Sequence, residues 1–247
     1  MSQSIQRAAE VLEFVSVRPR TQIEVADHLG VHRSTALRML HTLTDCGLAR
    51  RHADGRYGVG YRLAGLAQIA VEQFDLSAVA RPYLVELGEE CSHTVHLAAL
   101  EDSAIVYVDK IEQPGMVRLY SQVGQKVCLH TAGVAKAILA HLPAGRVESM
   151  LDTADFVRHT DTTITTRERY RAELAQVLER GWAVDDGEYE DYVNCVAMPV
   201  RDHAGRVMAA VSITALKARA TLTDLDLLRP RLAEVTTHIS EELGWRT

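Results

Sequence analysis

Apolar residues recur at helical spacing through the first part of the chain. Ile5, Ala8, Ala9, Leu12, Val15 and Val17, with Arg7, Glu10 and Glu13 between them, predict an amphipathic helix over about 4–16 that stops before Pro19. Thr21 stands three residues before Glu24, a capping box, and Ile23, Val25, Ala26 and Leu29 carry the second helix to Gly30, whose left-handed conformation closes it cheaply. A third helix is expected over about 32–45, with Ala36, Leu37, Leu40 and Leu43 on its buried face and Gly47 as its stop. Two helices joined by a short Gly-containing turn make a helix-turn-helix. Asp54-Gly55 then marks a hairpin between short extended segments, the wing of a winged helix.

Residues 60–75 (Leu63, Leu66, Ala67, Ile69, Ala70, Phe74) read as a linker helix. Ser77 is the expected cap of the next helix, with Ala80, Leu84 and Leu87 following and Pro82 in its first turns. Then the period changes. Segments 94–100 and 104–110 form a hairpin, and a further strand is expected at 116–120. Helices are expected over 132–142, ended by Pro143, and over 166–180, ended by Gly181. Strands follow at 182–185, 194–201 and 207–214, the last two joined by the turn Asp202–Gly205. A final helix over 223–243 takes Thr223 as cap and Pro230 as a kink or entry point. This body is α+β, an antiparallel sheet with helices packed on it. The expected domains are 1–62, a linker at 63–76, and 77–247.

Composition refines the partners more than the fold. The 247 residues are 47% hydrophobic and 24% charged, ordinary for a globular protein. No apolar run reaches the ~20 residues that span a bilayer, and no signal-like apolar core opens the chain, so a soluble, cytoplasmic protein without a membrane partner is expected. The net charge of −6 argues at first against nucleic acid. Its distribution reverses that. Residues 1–62 hold nine arginines, no lysine and six acids, a net of +3, while the remaining residues carry 18 basic and 27 acidic side chains, a net of −9.

The third helix begins His32-Arg33-Ser34-Thr35 and continues to Arg38. Arginine binds guanine bidentately and Ser or Thr binds phosphate or base, so Arg33, Ser34, Thr35 and Arg38 are candidate DNA contacts in the major groove. Arg51 and Arg56 of the wing suit backbone or minor-groove contact. A winged helix can also serve protein contacts; the concentration of arginine favours DNA.

Other chemistries are weaker. Cys46, Cys91, Cys128 and Cys195 form no CxxC pair, so no disulfide framework or zinc ribbon is indicated. Cys91, His93 and His96 bring soft ligands together in sequence, but His93 and His96 are expected on opposite faces of a strand and no compelling fourth ligand accompanies them. A cysteine-dependent or metal-dependent enzyme with an accessory winged helix is the alternative reading. No nucleophile signature surrounds Cys195, nearby carboxylates would raise its pKa, and no Gly-rich phosphate loop appears. No catalytic residue, cofactor or metal is expected.

The chain resembles the IclR family of bacterial transcription regulators. The head matches in Leu29-Gly-Val-His-Arg-Ser-Thr-Ala-Leu-Arg-Met-Leu-His-Thr-Leu, then Gly47-Leu and Tyr57-Gly-Val-Gly. The body matches in Thr94-Val-His-Leu, Leu129-His, Lys136-Ala, Gly181-Trp-Ala-Val-Asp185, Cys195-Val-Ala-Met-Pro-Val, and Gly205 through Ala209-Ala-Val-Ser212-Ile-Thr214. The resemblance implies a GAF-like effector domain in the body, dimers or dimers of dimers on palindromic double-stranded operators, and control by a small metabolite, often an organic acid. It places backbone amides for an anion at Gly133 and Val134, polar contacts at Asp185, Cys195, Ser212 and Thr214, and an apolar wall at Met116, Leu119 and Val127. Three positions depart from the family pattern: Tyr192 replaces a glycine and is expected to alter the pocket mouth, Ala135 replaces another glycine, and Cys128 replaces a proline.

Overall fold

The computed structural model describes residues 3–73, 75–112 and 119–246. The chain divides into two compact units, Met1–Phe74 and Asp75–Thr247.

The first unit packs α1 (Gln3–Val17), α2 (Gln22–Leu29) and α3 (Arg33–Asp45) against a two-stranded antiparallel sheet, β1 (Ala49–Arg51) and β2 (Tyr57–Val59). Its core is Val11, Val15, Val25, Ala26, Ala36, Leu40, Leu43, Ala49 and Tyr57. Ile5 and Val17, both expected on the apolar stripe of α1, are exposed; Val11 holds that place. Thr21 and Glu24 form the capping box in both directions, and Gly30 closes α2 at φ 62°. Reciprocal hydrogen bonds between Arg20 and Tyr57 (2.8 and 2.7 Å) tie the α1–α2 turn to the wing. Thr21→Ala is expected to lower the unit's stability by about 1 kcal/mol, read as a lower urea midpoint at an unchanged m-value. The helix α4 (Tyr61–Gln73) follows, with Leu66 and Ile69 exposed.

The second unit is built on a five-stranded sheet, antiparallel throughout, in the order β4-β3-β7-β6-β5: β3 (Thr94–Glu101), β4 (Ala104–Ile111), β5 (Ala183–Asp186), β6 (Val193–Arg201) and β7 (Val207–Leu216). Strand alternation sends Val95, Leu97, Val211 and Ile213 to one face, where α5 (Leu76–Cys91) and α9 (Leu222–Glu242) cover them. Ala98, Ala197 and Ala210 face the other side, under α6 (Gly133–Leu139), α7 (Ala144–Leu151) and α8 (Arg167–Arg180). Small residues there let α6 lie close to the sheet.

Several expected boundaries move. Asp75, not Ser77, caps α5; its carboxylate accepts from the N–H groups of Ser77 and Ala78, while the Ser77 hydroxyl donates to the Val108 carbonyl at 3.1 Å. Thr221, not Thr223, caps α9, where its hydroxyl accepts from the Asp224 N–H and the Asp224 carboxylate accepts from the Thr221 N–H in a capping box. Pro230 lies inside α9. Helix α6 ends at Leu139, short of Pro143, and α7 starts directly after that proline, where no helix was expected. Residues 116–118 of the expected strand at 116–120 lie outside the described residues, and 119–120 are not in a strand.

Candidate functional site

Helix α3 presents its first turn to solvent. Arg33, Ser34 and Arg38 are exposed and Thr35 is half-buried. His32 caps the helix: its Nδ1 accepts from the Ser34 N–H at 3.3 Å and lies 2.8 Å from the Ser34 hydroxyl. The Ser34 hydroxyl is thereby part of the cap as well as a candidate DNA contact. Arginines divide into two sets. Arg18 and Arg20 pair with Glu24, and Arg56 lies 3.6 Å from Asp54. Among the described residues, Arg33, Arg38 and Arg51 have no carboxylate within ion-pair distance, so their charge is turned outward. Arg50, by contrast, lies over the Tyr61 ring and donates to its hydroxyl at 3.3 Å.

The second unit holds a cavity of about 300 Å³ between the sheet, the start of α6 and the loops before α6 and α8. Its floor comes from strand register. Asp185 pairs with Cys195, Cys195 with Thr214, and Ser212 with His96. The four polar residues expected at the site therefore converge from three strands on one face, and all four are buried. Leu119 and Val127 form apolar wall, as expected; Met116 lies outside the described residues.

Gly133 fixes the distance between α6 and this floor. A Cβ added there would lie 2.6 Å from the Cys195 sulfur and 3.4 Å from the Ala197 Cβ, so only glycine fits. The helix cap, Ala132, makes no side-chain hydrogen bond to the first turn, which leaves the amides of Gly133 and Val134 without a cap partner. Beside them the buried Thr131 hydroxyl has no hydrogen-bond partner among the described residues.

Burial sets the electrostatics. It pushes Asp185 up to about 6, against the opposing pull of the Glu188 N–H (2.7 Å) and Lys136. Burial, with Asp185 adding to it, pushes the Cys195 thiol well up, so it is a packed neutral thiol and not an activated nucleophile. His96 is driven down to about 3 by burial, with Lys110 adding to it, and stays neutral; its ring nitrogens lie 3.2 Å from the Thr214 hydroxyl and 2.6 Å from the Ser121 hydroxyl.

Behind Asp185 lies a buried ion pair. Lys136 on α6 is 1% exposed; it donates to the Val184 carbonyl at 2.9 Å and pairs with Glu188. Three threonine hydroxyls, of Thr160, Thr162 and Thr163, donate to the carbonyls of Gly187 and Glu188 and pin this loop in place.

Sequence reasoning missed several lining residues: His96 as a pocket residue, Tyr107, Tyr120, Ser121, Lys126, Thr131, His159 and Tyr189. His96 lay within the quoted Thr94-Val-His-Leu motif, and its strand parity relative to Thr94 was the available signal. Tyr192, expected at the pocket mouth, points elsewhere: it is 51% exposed and donates to Glu190 at 2.6 Å, without lining the cavity. Cys91, His93 and His96 do not converge; His93 precedes β3, and His96 is committed to the two hydroxyls.

A winged helix with an outward-facing arginine helix, joined in one chain to a sensor unit with a small polar cavity, defines a ligand-responsive DNA-binding regulator. Comparison with known proteins gives the family. Residues 4–53 match the IclR helix-turn-helix domain and residues 68–241 match the bacterial transcriptional regulator IclR C-terminal domain. The chain belongs to the IclR family of transcriptional regulators. It is 30% identical over 247 residues to the HTH-type transcriptional regulator XynR of Escherichia coli, covering 98% of each chain. The crystal structure of the Thermotoga maritima IclR is similar with a TM-score of 0.66 at 29% identity, over 99% of this chain and 100% of that one. A second crystal structure, of an IclR-type regulator from Silicibacter sp. TM1040, shares the fold with a TM-score of 0.86 at 21% identity, over 98% of this chain and 96% of that one. No helix among the described residues is long and apolar enough to cross a membrane.

Proposed function

We propose that this regulator reads a palindromic double-stranded operator with Arg33, Ser34, Thr35 and Arg38 in the major groove, and grips the flanks with Arg51 and Arg56. The functional divisions are residues 1–62 for DNA, 63–76 as linker and 77–247 for the effector. The working form is a homodimer or dimer of dimers, a reading supported by the exposed Leu66 and Ile69 of α4 and by the two-fold logic of palindromic sites. It acts by binding and not by catalysis, which the buried, neutral Cys195 favours over a nucleophile.

The effector is a small carboxylic acid that also carries a hydroxyl. The observation that carries this is the buried row of Asp185, Cys195 and Thr214 at the floor of a cavity of about 300 Å³. Asp185 and Ser212 receive the ligand's hydroxyl. Lys126 at the rim, the Thr131 hydroxyl and the amides of Gly133 and Val134 receive its carboxylate. Leu119 and Val127 close the apolar side. The ligand shifts operator affinity only by binding two arrangements of the protein unequally.

Operator binding is tested on the DNA upstream of the protein's own gene at ~150 mM salt. Arg38→Ala is expected to weaken specific binding by ~1–3 kcal/mol and leave the thermal midpoint unchanged. Equal affinity of the parent protein for that DNA and for random DNA would overturn the reading. A thermal-shift screen of organic acids identifies the effector class, since a ligand at 100 times its Kd adds about 2.7 kcal/mol of stability.

A further inference from the structure

The fold gathers soft ligands that are spread over 32 positions of the sequence. The Cys128 sulfur, a His130 ring nitrogen and a His159 ring nitrogen all lie within 4.8 Å of one another. Cys128 and His159 line the cavity, and His130 sits directly behind them. From this convergence we propose a transition-metal site, most suited to Zn(II), with Cys128, His130 and His159 as three ligands and a fourth position opening into the effector cavity.

Three geometric facts support it. The Cys128 sulfur and His130 Nδ1 are 3.5 Å apart. A tetrahedral ion with a sulfur at ~2.3 Å and a nitrogen at ~2.0–2.1 Å needs a separation of about 3.5 Å, so two ligands already stand at their bonded spacing. His130 is also held in the right tautomer. Its Nε2 donates to the Val157 carbonyl at 3.0 Å, which leaves Nδ1 as the lone pair facing Cys128. A backbone carbonyl bound to the far nitrogen is the usual outer support of a metal-bound histidine. His130 is 1% exposed and wedged against Phe156, so this orientation is fixed. His159 is exposed, on the loop between α7 and α8, with its ring stacked 5.7 Å from that of His130; in the proposed site a side-chain rotation brings its nitrogen to bonding distance.

The ligand set selects the ion. One thiolate and two imidazoles favour zinc over magnesium or calcium, which prefer oxygen. Three protein ligands with one open position is the pattern of zinc sites that bind a further molecule. Binding replaces the Cys128 thiol proton, so each ion taken up releases one proton. The exposed Asp155 carboxylate lines the same cavity and adds negative charge beside the site. The site rests on the effector reading only for what fills the fourth position, namely the carboxylate of the acid. A chelating acid would then be preferred over a monodentate one.

The test uses the full chain, stripped with a chelator and titrated with Zn(II) alone, with no organic acid present. One ion per chain and release of one proton are expected. Co(II) in its place is expected to give a sulfur-to-metal charge-transfer band in the near ultraviolet. Cys128→Ser should abolish that band and weaken zinc binding at least tenfold. His159→Ala, at an exposed position that leaves the fold alone, should weaken zinc binding by a similar factor. Cys91→Ser should bind as the parent does. Absence of stoichiometric binding, or undiminished binding in both the Cys128→Ser and His159→Ala proteins, would overturn the site. A chain that binds zinc but answers no acid fails the effector reading alone; one that answers acids but binds no zinc fails the metal site alone.

Discussion

Lys136→Met is expected to destabilise the effector unit by about 3–5 kcal/mol, the cost of leaving a buried carboxylate without its partner. Lys136 is 1% exposed and Glu188 6%, and the second Glu188 oxygen has no hydrogen-bond partner among the described residues. Burial pushes the Glu188 carboxyl upward, and the attraction of Lys136 opposes it. Remove the ammonium and nothing opposes burial. The Val184 carbonyl loses its donor in the same step. The double variant Lys136→Met with Glu188→Leu removes both charges and is expected to recover most of the loss, because replacing a whole buried pair by apolar groups is often neutral. Urea unfolding followed by circular dichroism measures both. A double variant no more stable than the single would show that the pair does not determine the loss.

Asp185→Asn is expected to abolish the effector's influence on operator binding and, at the same time, to stabilise the protein near neutral pH. The two effects have one cause. Burial raises Asp185 to about 6 from an ordinary 3.8. Between those values the folded state binds the proton more tightly than the unfolded chain, so stability from this group falls as pH rises, and the full penalty is present above about pH 6. The shift of about two units corresponds to an upper value of about 3 kcal/mol. Asparagine carries no charge to bury, and its oxygen still accepts from the Glu188 N–H. The variant's melting temperature should therefore exceed the parent's at pH 7.5 and converge with it near pH 4. An unchanged response to the effector in Asp185→Asn would remove this residue from the binding site. A pH-independent gap in melting temperature would remove the charge as its cause.

The parts of the fold that were legible in the sequence are those specified locally. Thr21, Glu24 and Gly30 bracket α2 within ten residues, and Asp54-Gly55 marks the hairpin of the wing without any distant contact. The five strands of the effector sheet are short, largely apolar runs bounded by turn residues, which places each within a residue or two. Caps failed where several eligible residues competed: Asp75 against Ser77, Thr221 against Thr223. Helix α7 was missed because Pro143 reads as an ending, whereas here it serves as the N-cap of the next helix. At the site, the candidates Asp185, Cys195, Ser212 and Thr214 rested largely on the family resemblance. His96, Ser121 and Thr131 were not recognised, because their approach depends on the pairing of β3 with β7 and on loops that close over the sheet. The convergence of Cys128, His130 and His159 depends on a loop returning across the start of α6, which spacing along the chain does not encode.

The missing clearance at Gly133 has a consequence for how such a sensor changes its tastes. With 2.6 Å between a would-be Cβ and the Cys195 sulfur, α6 and the sheet floor meet at Gly133 with no room for even one more methyl group. The floor keeps Asp185 and Ser212 as fixed anchor points, and discrimination between guests that share them falls to Tyr120, Lys126, His159 and Tyr189, which line the cavity from loops. New specificities can be sculpted there by substitution without disturbing the load-carrying frame beneath, so a lineage of these proteins can change the message it hears while keeping the same ear.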